Sequence, residues 1–419
     1  MNISPVHLES VLDSTKILRK LVSIPSEVRV EEGKIVRENY EKIVEVIADF
    51  FNKISGVYVE ILDLRTSSGE KVPAVIASID IDAPSVAFVS HYDVVPAKGP
   101  WIIDGEEVDP YKPLVLEDRI YGRGASDDKS AIVSSIIALS KLVKMKEKLK
   151  YRPFMVITGD EEVGGTGVEL LLKKMSFDKA VILDSDADNI VVAASGIIHG
   201  WIKVKGKAGH AGYPHRADNA VEKAIKFLHK FISKYKPLRE RKISQYNAPR
   251  DSPKPKTWGR FNVTVVKLGP REPEKLNRIP GEVLAGFDIR LIPEEKPENA
   301  VEELKKVFNE VVSETGITAE LEITCCRNGW YATDKNLVAE ALFSAEEAYR
   351  RVYGIDFKLG TIAQLGGNDG THFFNKGIPC VGFGTHRPNN NLHGENEFVY
   401  LKDIDLVAEF IVQICVKRN

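Results

Sequence analysis

Apolar and polar positions follow two different periods along the first half of this chain. Apolar residues recur at helical spacing over residues 5–21, and a second helix is predicted over residues 34–54. Three short segments rich in β-branched residues come next and are predicted to be strands: VYVEIL, AVIASI and SVAFVS. Strand FMVIT, loop DEEVGG, a helix over residues 167–175 and strand AVIL continue the alternation. The pattern predicts an α/β fold with helices on both faces of a mixed sheet.

The pattern changes near residue 199. WIKVKGKAG alternates apolar and cationic residues, as a half-exposed antiparallel strand does, and two further alternating strands, two helices and a last strand follow. Residues 243–258 are polar and Pro-rich and are predicted to form a surface loop. Because 419 residues are too many for one ordinary core, we expect at least two domains. The pattern of strands and helices predicts that one of them is an α+β domain of order β-α-β-β-α-β, inserted at residues 199–326. It interrupts a first domain made of residues 1–198 and 327–419.

Composition narrows the classes of partner. The chain has 58 Lys and Arg against 60 Asp and Glu, a formal net charge of -2, which argues against a nucleic-acid footprint and favours a small-molecule partner. It lacks a signal-peptide pattern and an apolar stretch of roughly 20 residues, so a soluble cytoplasmic protein without membrane contact is expected. The four cysteines show no CxxC spacing and are predicted to be buried apolar residues: Cys325, Cys326, Cys380 and Cys415.

The loop ITGDEEVGG places three carboxylates in a row directly after the apolar strand FMVIT. Burying them without a partner would cost several kcal/mol each, so a cation is expected beside them. The alternative is an ordinary solvated turn at a strand end. The residues at other strand ends favour the cation.

Five strand-end loops carry imidazole or carboxylate groups, which are the ligands that zinc and cobalt prefer. Taken singly, each is more often structural or solvated, but five of them at the carboxyl ends of strands indicate a common site. We therefore expect two divalent ions, Zn²⁺ or Co²⁺, held by this set. The candidates are His91, Asp127, the Glu161–Glu162 pair, Asp184 and His393.

Two pairs within this set indicate a division of roles. His91 and Asp93 are two residues apart and lie on the same face of a continuing strand, so one can bind a metal while the other accepts the second ring N–H. Adjacent Glu161 and Glu162 point to different sides, so one can bind metal while the other takes a proton from water. Asp160 is expected to support them or to be solvated.

Seven motifs together resemble one family. They occur in the order and rough spacing of the co-catalytic zinc aminoacylase/carboxypeptidase family: SHYDVVPA, GRGASDDKSA, TGDEEVGG, AGHAGYPHRADNAV, LNRIPGE with DIRL, GGNDG and LHGENE. The resemblance covers most of the chain. It implies a zinc-peptidase-type catalytic domain, with two metal ions, interrupted by a lid or dimerisation domain through which a homodimer forms.

The resemblance also implies a role for each strand-end residue. The implied ligands are His91 and Asp184 on one ion, Glu162 and His393 on the other, and Asp127 between them. Glu161 is the implied general base and Asp93 orients His91. A cis peptide bond is implied between Asp127 and Asp128. Because this chain reads LDSDAD where family members often have Glu followed by Pro, Asp186 remains an alternative to Asp184.

The inserted domain carries implied substrate contacts. His210 resembles the family's lid histidine, which supports the oxyanion in the partner subunit's site. Asn277 and Arg290 resemble substrate-binding residues, with Arg290 suited to a carboxylate, although a surface charge is the alternative. Three residues resemble a loop that offers backbone N–H groups to substrate, in a chain reading LGGNDG where desuccinylases read GGTSD: Gly366, Gly367 and Asn368. The other histidines considered are expected to be structural: His199, His215, His372 and His386.

The sequence thus predicts a metal-dependent hydrolase that cleaves an N-acyl amide or peptide bond next to a free carboxylate. The activity of a succinyl-diaminopimelate desuccinylase or an acetylornithine deacetylase is expected first, because GHAGYPHRADN resembles desuccinylases. A dipeptidase or carboxypeptidase is the alternative within the family. A non-catalytic binding protein of the same fold is the remote alternative, since every position named above is filled by a chemically competent residue.

Overall fold

The structure is a computed structural model that describes residues 13–31 and 33–417. Its α-helices are α1 (Ser14–Val22), α2 (Tyr40–Asn52), α3 (Lys129–Leu142), α4 (Thr166–Leu171), α5 (Ala220–Glu240), α6 (Pro297–Thr315), α7 (Lys335–Tyr353), α8 (Gly370–Asn375) and α9 (Leu401–Cys415). Short 3₁₀ turns occupy Val143–Lys148, Glu161–Val163 and Pro214–Arg216. Within the described part of the chain, no helix has the length and apolar content that a membrane span requires.

The strands of the first half are β1 (Val28–Glu31), β2 (Lys34–Arg37), β3 (Tyr58–Leu62), β4 (Ala74–Ser78), β5 (Ser85–His91), β6 (Ile102–Ile103), β7 (Glu106–Glu107), β8 (Leu114–Leu116), β9 (Arg119–Tyr121), β10 (Arg152–Thr158), β11 (Lys179–Ile182) and β12 (Asn189–Ala194). Those of the second half are β13 (Gly196–Lys205), β14 (Gly209–His210), β15 (Ile243–Asn247), β16 (Lys256–Trp258), β17 (Arg260–Leu268), β18 (Arg278–Ile279), β19 (Glu282–Leu291), β20 (Ala319–Arg327), β21 (Trp330–Tyr331), β22 (Gly360–Gln364), β23 (Cys380–Gly382) and β24 (Phe398–Tyr400).

The chain divides into two compact units. Unit 1 consists of Met1–Val192, Ala332–Ile362 and Asn368–Asn419, and unit 2 of Ala193–Tyr331 and Ala363–Gly367. The boundaries predicted from the sequence, at residues 199 and 326, lie a few residues inside this division. The sequence did not predict that a second segment, Ala363–Gly367, also belongs to unit 2.

Unit 1 contains a mixed sheet whose strands pair in the order β12–β23–β11–β5–β10–β4–β3. Strand β5 runs parallel to both β10 and β11, and β11 runs parallel to β23, whereas β4 pairs antiparallel with β10 and β3. All five residues of β4 and all but the first residue of β5 are buried, so both faces of the sheet are covered. The α/β prediction is confirmed.

Unit 2 contains an antiparallel sheet of order β17–β19–β13–β20. Along β13 buried residues alternate with half-buried ones, so one face of the sheet meets the core. The apolar stripe of α6 recurs at helical spacing and packs into that core: Ala300, Leu304, Val307, Phe308 and Val311. Helix α5 contributes Phe227 and Phe231 to the same core. The order β13, α5, β17, β19, α6, β20 matches the predicted β-α-β-β-α-β order.

Three predicted elements differ from the structure. The helix predicted over residues 34–54 is wrong at its start, because Lys34–Arg37 forms strand β2, which pairs with β1 across a turn at Gly33 (φ 81°). The loop predicted at residues 243–258 contains strands β15 and β16, which pair with each other. The helix predicted over residues 5–21 lies partly outside the described residues and is α1 within them.

The prediction that all four cysteines are buried is correct for two of them and wrong for the other two. Cys380 and Cys415 are buried, whereas Cys326 is exposed and Cys325 is half-buried. Both of the latter lie on β20, the last strand in the sheet order of unit 2, where one face has no covering layer of core residues. Alternation along the strand therefore places Cys325 on its half-buried face and Cys326 on its exposed face.

Candidate metal centre

Parallel pairing brings three chemically active loops to one edge of the sheet in unit 1. His91 is the last residue of β5, Asp160 follows β10 by two residues, and Asp184 follows β11 by two. Because β5 is parallel to both neighbours, the carboxyl ends of the three strands lie side by side. This pairing places the three loops at one edge of the sheet, where the sequence predicted a common site.

Three groups of side chains among the described residues could each hold a metal ion, with the candidate ligand atoms of each group within 4.8 Å of one another. They are His91, Glu161 and Asp184; Asp127, Asp184 and His386; and Asp127, Glu162 and His393. Asp127 and Asp184 each belong to two groups. All five metal ligands predicted from the sequence are therefore brought together.

The carboxylate of Asp127 lies between two histidines. Its Oδ1 is 3.1 Å from His91 Nε2, and its Oδ2 is 3.1 Å from His393 Nε2. His393 Nε2 is also 3.0 Å from Glu162 Oε2. With its two oxygens facing two separate groups of candidate ligands, Asp127 could be shared by two metal ions.

Burial, and after it the repulsion of neighbouring carboxylates, raises the pKa values of three acidic residues of the site. Burial, with the nearby negative charge of Asp184, raises the pKa of Glu161 well above its ordinary value. Burial and the charge of Asp127 raise the pKa of Glu162 to about 7. Burial and Asp127 likewise raise the pKa of Asp184. A set of crowded carboxylates with two imidazoles is the donor set that a pair of divalent cations prefers, so the residues fit such a pair.

The two histidines supply the balancing attraction. Hydrogen bonds to Asp127 and Glu162 raise the pKa of His393 to about 11. Burial alone would raise the pKa of Asp127, but hydrogen bonds with His393 and His91 bring it well below its ordinary value. His393 is more than half exposed at its side chain, so this corner of the site is open to solvent.

Asp93 contacts two parts of the site. His91 Nδ1 lies 3.0 Å from the backbone carbonyl oxygen of Asp93 and 3.5 Å from its carboxylate Oδ1. The carboxylate itself accepts hydrogen bonds from the backbone N–H groups of Glu161, at 3.3 Å, and Glu162, at 3.1 Å. The nearer partner of the His91 ring is thus the carbonyl, and the Asp93 side chain fixes the backbone of the glutamate pair.

The acidic loop is anchored at Asp160, which is fully buried. Arg37 donates from Nε to Oδ1 at 2.8 Å and from Nη2 to Oδ2 at 2.6 Å, and Tyr40 donates its hydroxyl to Oδ1 at 3.0 Å. Of the two alternatives for Asp160, a supporting role fits these contacts and a solvated one does not. Arg37 ends the strand β2 that the sequence did not predict.

The loop around Asp127 is anchored by Glu397, which sequence reasoning missed. Its carboxylate accepts from the backbone N–H groups of Gly124, Ser126 and Asp127, at 3.1, 2.9 and 3.1 Å. It also accepts from Arg123 Nη1 at 2.7 Å. Glu397 lies four residues after His393, so the motif LHGENE contained it. The bond between Asp127 and Asp128 is cis, as the resemblance implied.

The structure separates Asp184 from its alternative. Asp186 accepts hydrogen bonds from the backbone N–H of Asp188, at 2.7 Å, and from Asn189 Nδ2, at 3.2 Å. It belongs to none of the ligand groups in the described chain, whereas Asp184 belongs to two. His386, expected to be structural, lies with its Nδ1 3.5 Å from Asp184 Oδ1 and joins one group.

The substrate-binding residues predicted in unit 2 have the following contacts in the structure. His210 and Asn277 come together because β14 pairs with β18 and Ala211 N–H donates to the Asn277 carbonyl at 2.9 Å. Arg290 lies on β19, where its Nε donates to Asp288 Oδ1 at 3.0 Å. The carbonyl of Gly366 accepts from Ser195 N–H at 3.1 Å.

The neighbouring loop residues divide between the units. Gly367 belongs to unit 2 with Gly366, whereas Asn368 belongs to unit 1 and accepts at Oδ1 from Gly370 N–H at 3.0 Å.

A mixed α/β fold with clustered imidazole and carboxylate ligands at the carboxyl edge of its parallel strands defines a metal-dependent hydrolase. The model of peptidase family M20/M25/M40 matches residues 87–417, and the chain belongs to this family.

Relatives and solved structures agree with that placement. The chain is 24% identical over 409 residues to a succinyl-diaminopimelate desuccinylase of Pelagibacter ubique (strain HTCC1062), covering 95% of this chain and 97% of that protein. Among solved structures, the M20 family metallo-carboxypeptidase Sso-CP2 from Sulfolobus solfataricus has a TM-score of 0.76 at 18% identity, covering 96% of this chain and 98% of that one. Human carnosine dipeptidase 1 has a TM-score of 0.75 at 19% identity, covering 98% and 99%.

Proposed function

We propose that this hydrolase cleaves an N-acyl amide or peptide bond next to a free carboxylate. The observation that carries the proposal is the position of Asp127, with one oxygen 3.1 Å from His91 and the other 3.1 Å from His393, inside a cluster that includes Glu161. When bound, two divalent ions supply a Lewis acid for the scissile carbonyl and lower the pKa of water. We propose Zn²⁺ or Co²⁺ for that role, with His91, Asp127, Glu162, Asp184 and His393 as ligands.

Glu161 is the general base in this proposal. Burial and the charge of Asp184 raise the pKa of Glu161, so its carboxylate binds a proton more readily than an ordinary glutamate does, which suits a group that takes a proton from water and returns it to the leaving amine. The water oxygen bonds to the scissile carbon, the C–N bond breaks, and the proton that Glu161 removed ends on the amine nitrogen. Asp93 positions Glu161, because its carboxylate accepts a hydrogen bond from the backbone N–H of Glu161.

Unit 2 contributes substrate contacts in the same proposal. His210 supports the oxyanion and Asn277 binds substrate, as the family resemblance implies, and the hydrogen bond from Ala211 N–H to the Asn277 carbonyl, next to the pairing of His210 with Arg278, supports a joint role. Arg290 binds the free carboxylate, and Gly366, Gly367 and Asn368 offer backbone N–H groups. A homodimer through unit 2 is part of the proposal.

The curated relatives favour a desuccinylase or a related deacetylase as the leading activity. Relatives named succinyl-diaminopimelate desuccinylase are 24% to 30% identical to this chain. A dipeptidase or carboxypeptidase is the second candidate. The similarity in fold to a metallo-carboxypeptidase and to a dipeptidase supports this second candidate.

Metal removal followed by a substrate panel tests the proposal. Dialysis against a chelator should abolish hydrolysis, and added zinc or cobalt should restore it, because the ligand set has no other means of acidifying water. The panel compares N-succinyl-diaminopimelate, N-acetylornithine and simple dipeptides by kcat/KM. A protein whose hydrolysis is indifferent to chelation, or that hydrolyses none of these compounds, contradicts the proposal.

A further inference from the structure

Two arginines stand directly opposite each other on the polar face of unit 2. The register of β17 and β19 pairs Arg260 with Arg290, so both side chains leave the sheet on the same side. Their neighbours Phe261 and Ile289 point to the other side and belong to the hydrophobic core of unit 2. Like charges directly opposite across a strand pair are destabilising, so this pairing requires a compensating group.

Arg290 has such a group within the protein. Its Nε donates to Asp288 Oδ1 at 3.0 Å, and the other carboxylate oxygen of Asp288 lies 2.9 Å from His199 Nε2. Asp288 is therefore shared between Arg290 and His199. The carboxylate nearest to the arginine pair is already engaged on both oxygens.

Arg260 has no ion-pair partner anywhere in residues 13–31 and 33–417. Its Nη2 donates to two neutral oxygens, Ser195 Oγ at 2.6 Å and the Leu365 carbonyl at 3.0 Å. Its Nε is buried and has no hydrogen-bond partner in the same residues. Burial and the charge of Arg290 lower the pKa of Arg260 to about 10.

A purely structural role accounts for only part of these contacts. Tying Ser195 and Leu365 together requires a donor but no charge, and burying a charge without a counter-ion is unfavourable. The guanidinium also stands 5.3 Å from the ring centre of Trp258, which holds its orientation. A guanidinium that is held in place and bonded only to neutral oxygens can still attract an anion, and its planar group of donors suits a carboxylate.

Gly366 follows Leu365, whose carbonyl accepts from Arg260, and it has open space where a side chain would stand. A Cβ built on Gly366 would meet no heavy atom within 4 Å, and the residue does not have a positive φ, so neither packing nor backbone conformation requires glycine there. Ser195 connects the two features, because its N–H donates to the Gly366 carbonyl and its hydroxyl accepts from Arg260. The missing side chain allows close approach of a ligand.

We propose that Arg260 and Arg290 together bind the free carboxylate of the substrate beside the Gly366–Gly367 backbone, and that Arg260 determines the requirement for that carboxylate. The inference rests on the proposed function, because it names the residue that selects the acidic group of the same substrate. Arg290 provides one guanidinium, partly neutralised by Asp288. Arg260 provides a second guanidinium, which the charge of Asp288 attracts but which forms no ion pair among the described residues.

The test compares a carboxylate substrate with its uncharged analogue. For Arg260→Met, kcat/KM is measured on an N-acyl amino acid from the panel and on the same compound with the carboxylate converted to a primary amide. The preference for the carboxylate should fall by at least about 10-fold, the value of one charge-assisted hydrogen bond, mainly through KM. Arg260→Lys keeps the charge without the fork and should lose less of the preference.

Two control variants separate binding from structure. Ser195→Ala removes the hydroxyl tether but keeps the guanidinium, and Lys267→Gln removes an exposed cation from the same strand. Both should keep the carboxylate preference. A structural role for Arg260 would instead lower kcat/KM for acid and amide equally, in Ser195→Ala as well as in Arg260→Met.

Succinate binding provides a second readout that does not need turnover. Calorimetric titration of the whole protein should show that Arg260→Met binds succinate at least about 10-fold more weakly than wild type. If wild type hydrolyses no panel compound but this difference remains, the proposed function fails and the carboxylate site stands. An Arg260→Met protein with native circular dichroism and unchanged succinate affinity overturns the inference, as does tighter binding of phosphate than of succinate by wild type.

Discussion

The acidic cluster of unit 1 and the arginine pair of unit 2 are opposite in charge and alike in energetics. In unit 1, burial and neighbouring carboxylates raise the pKa values of Glu161, Glu162 and Asp184. In unit 2, burial and Arg290 lower the pKa of Arg260 to about 10. Both shifts favour the neutral form, as crowded like charges do. The charge of each place therefore favours an ion of the opposite sign, a cation in unit 1 and an anion in unit 2.

The two places differ in how their geometry is held. The carboxylates of unit 1 come from irregular loops, so other side chains must fix the backbone: Asp93 for the glutamate pair, Asp160 for the acidic loop and Glu397 for the segment around Asp127. The arginines of unit 2 lie on regular strands, and the sheet register fixes them. Substitutions of supporting residues should therefore matter more in unit 1.

The largest effect should come from the base itself. Glu161→Gln keeps the size of the side chain but cannot accept a proton, so kcat should fall by at least about 100-fold while metal content stays unchanged. Metal analysis of the purified variant and steady-state kinetics measure the two quantities. Near-normal turnover would remove Glu161 from the role of base.

A matched pair of substitutions tests which aspartate after β11 binds metal. Asp184→Asn should bind fewer metal equivalents than wild type, because Asp184 belongs to two ligand groups. Asp186→Asn should keep the full complement, since Asp186 accepts hydrogen bonds from its own loop. The same metal content in both variants, or the reverse order, would contradict the assignment.

A smaller effect should follow from loosening a support of unit 1. Glu397→Gln replaces one acceptor oxygen by an N–H₂ group that faces backbone N–H donors, so metal affinity should fall by about 10-fold, the lower end for residues that orient ligands. Competition with a metal-binding dye measures the affinity. Glu395→Gln, an exposed change in the same loop, is the control and should bind metal as wild type does.

Comparable loss in the two variants would show that loop charge, rather than the hydrogen bonds of Glu397, sustains the affinity. The contrast with unit 2 would then disappear, because no residue of the loop would have a special supporting role. Loss in Glu397→Gln alone sharpens the contrast.

Much of the metal centre could be predicted from the sequence because its residues follow strands directly. His91 and the Glu161–Glu162 pair each come at or just after an apolar, β-branched run, and parallel pairing then places such residues together. The helix predicted over residues 34–54 began too early, because Ile35 and Val36 continue the apolar spacing of α2 backwards. Only pairing with β1 identifies Lys34–Arg37 as a strand.

The supports could not be predicted in this way because they join distant parts of the chain. Arg37 and Asp160 are 123 residues apart, and Arg123 and Glu397 are 274 apart. No local pattern marks such pairs. The proposed role of Arg260 could not be predicted from the sequence either, because it depends on the strand register that places Arg260 opposite Arg290.

The contact between Glu397 and the backbone of Gly124, Ser126 and Asp127 also sets an order of events during protein synthesis. The three N–H groups are synthesised before the carboxylate that binds them, which lies 270 residues after Asp127 in the chain. A nascent chain lacking that carboxylate cannot hold the Asp127 segment as the finished protein does. Assembly of the metal centre therefore has to wait until Glu397 has been synthesised.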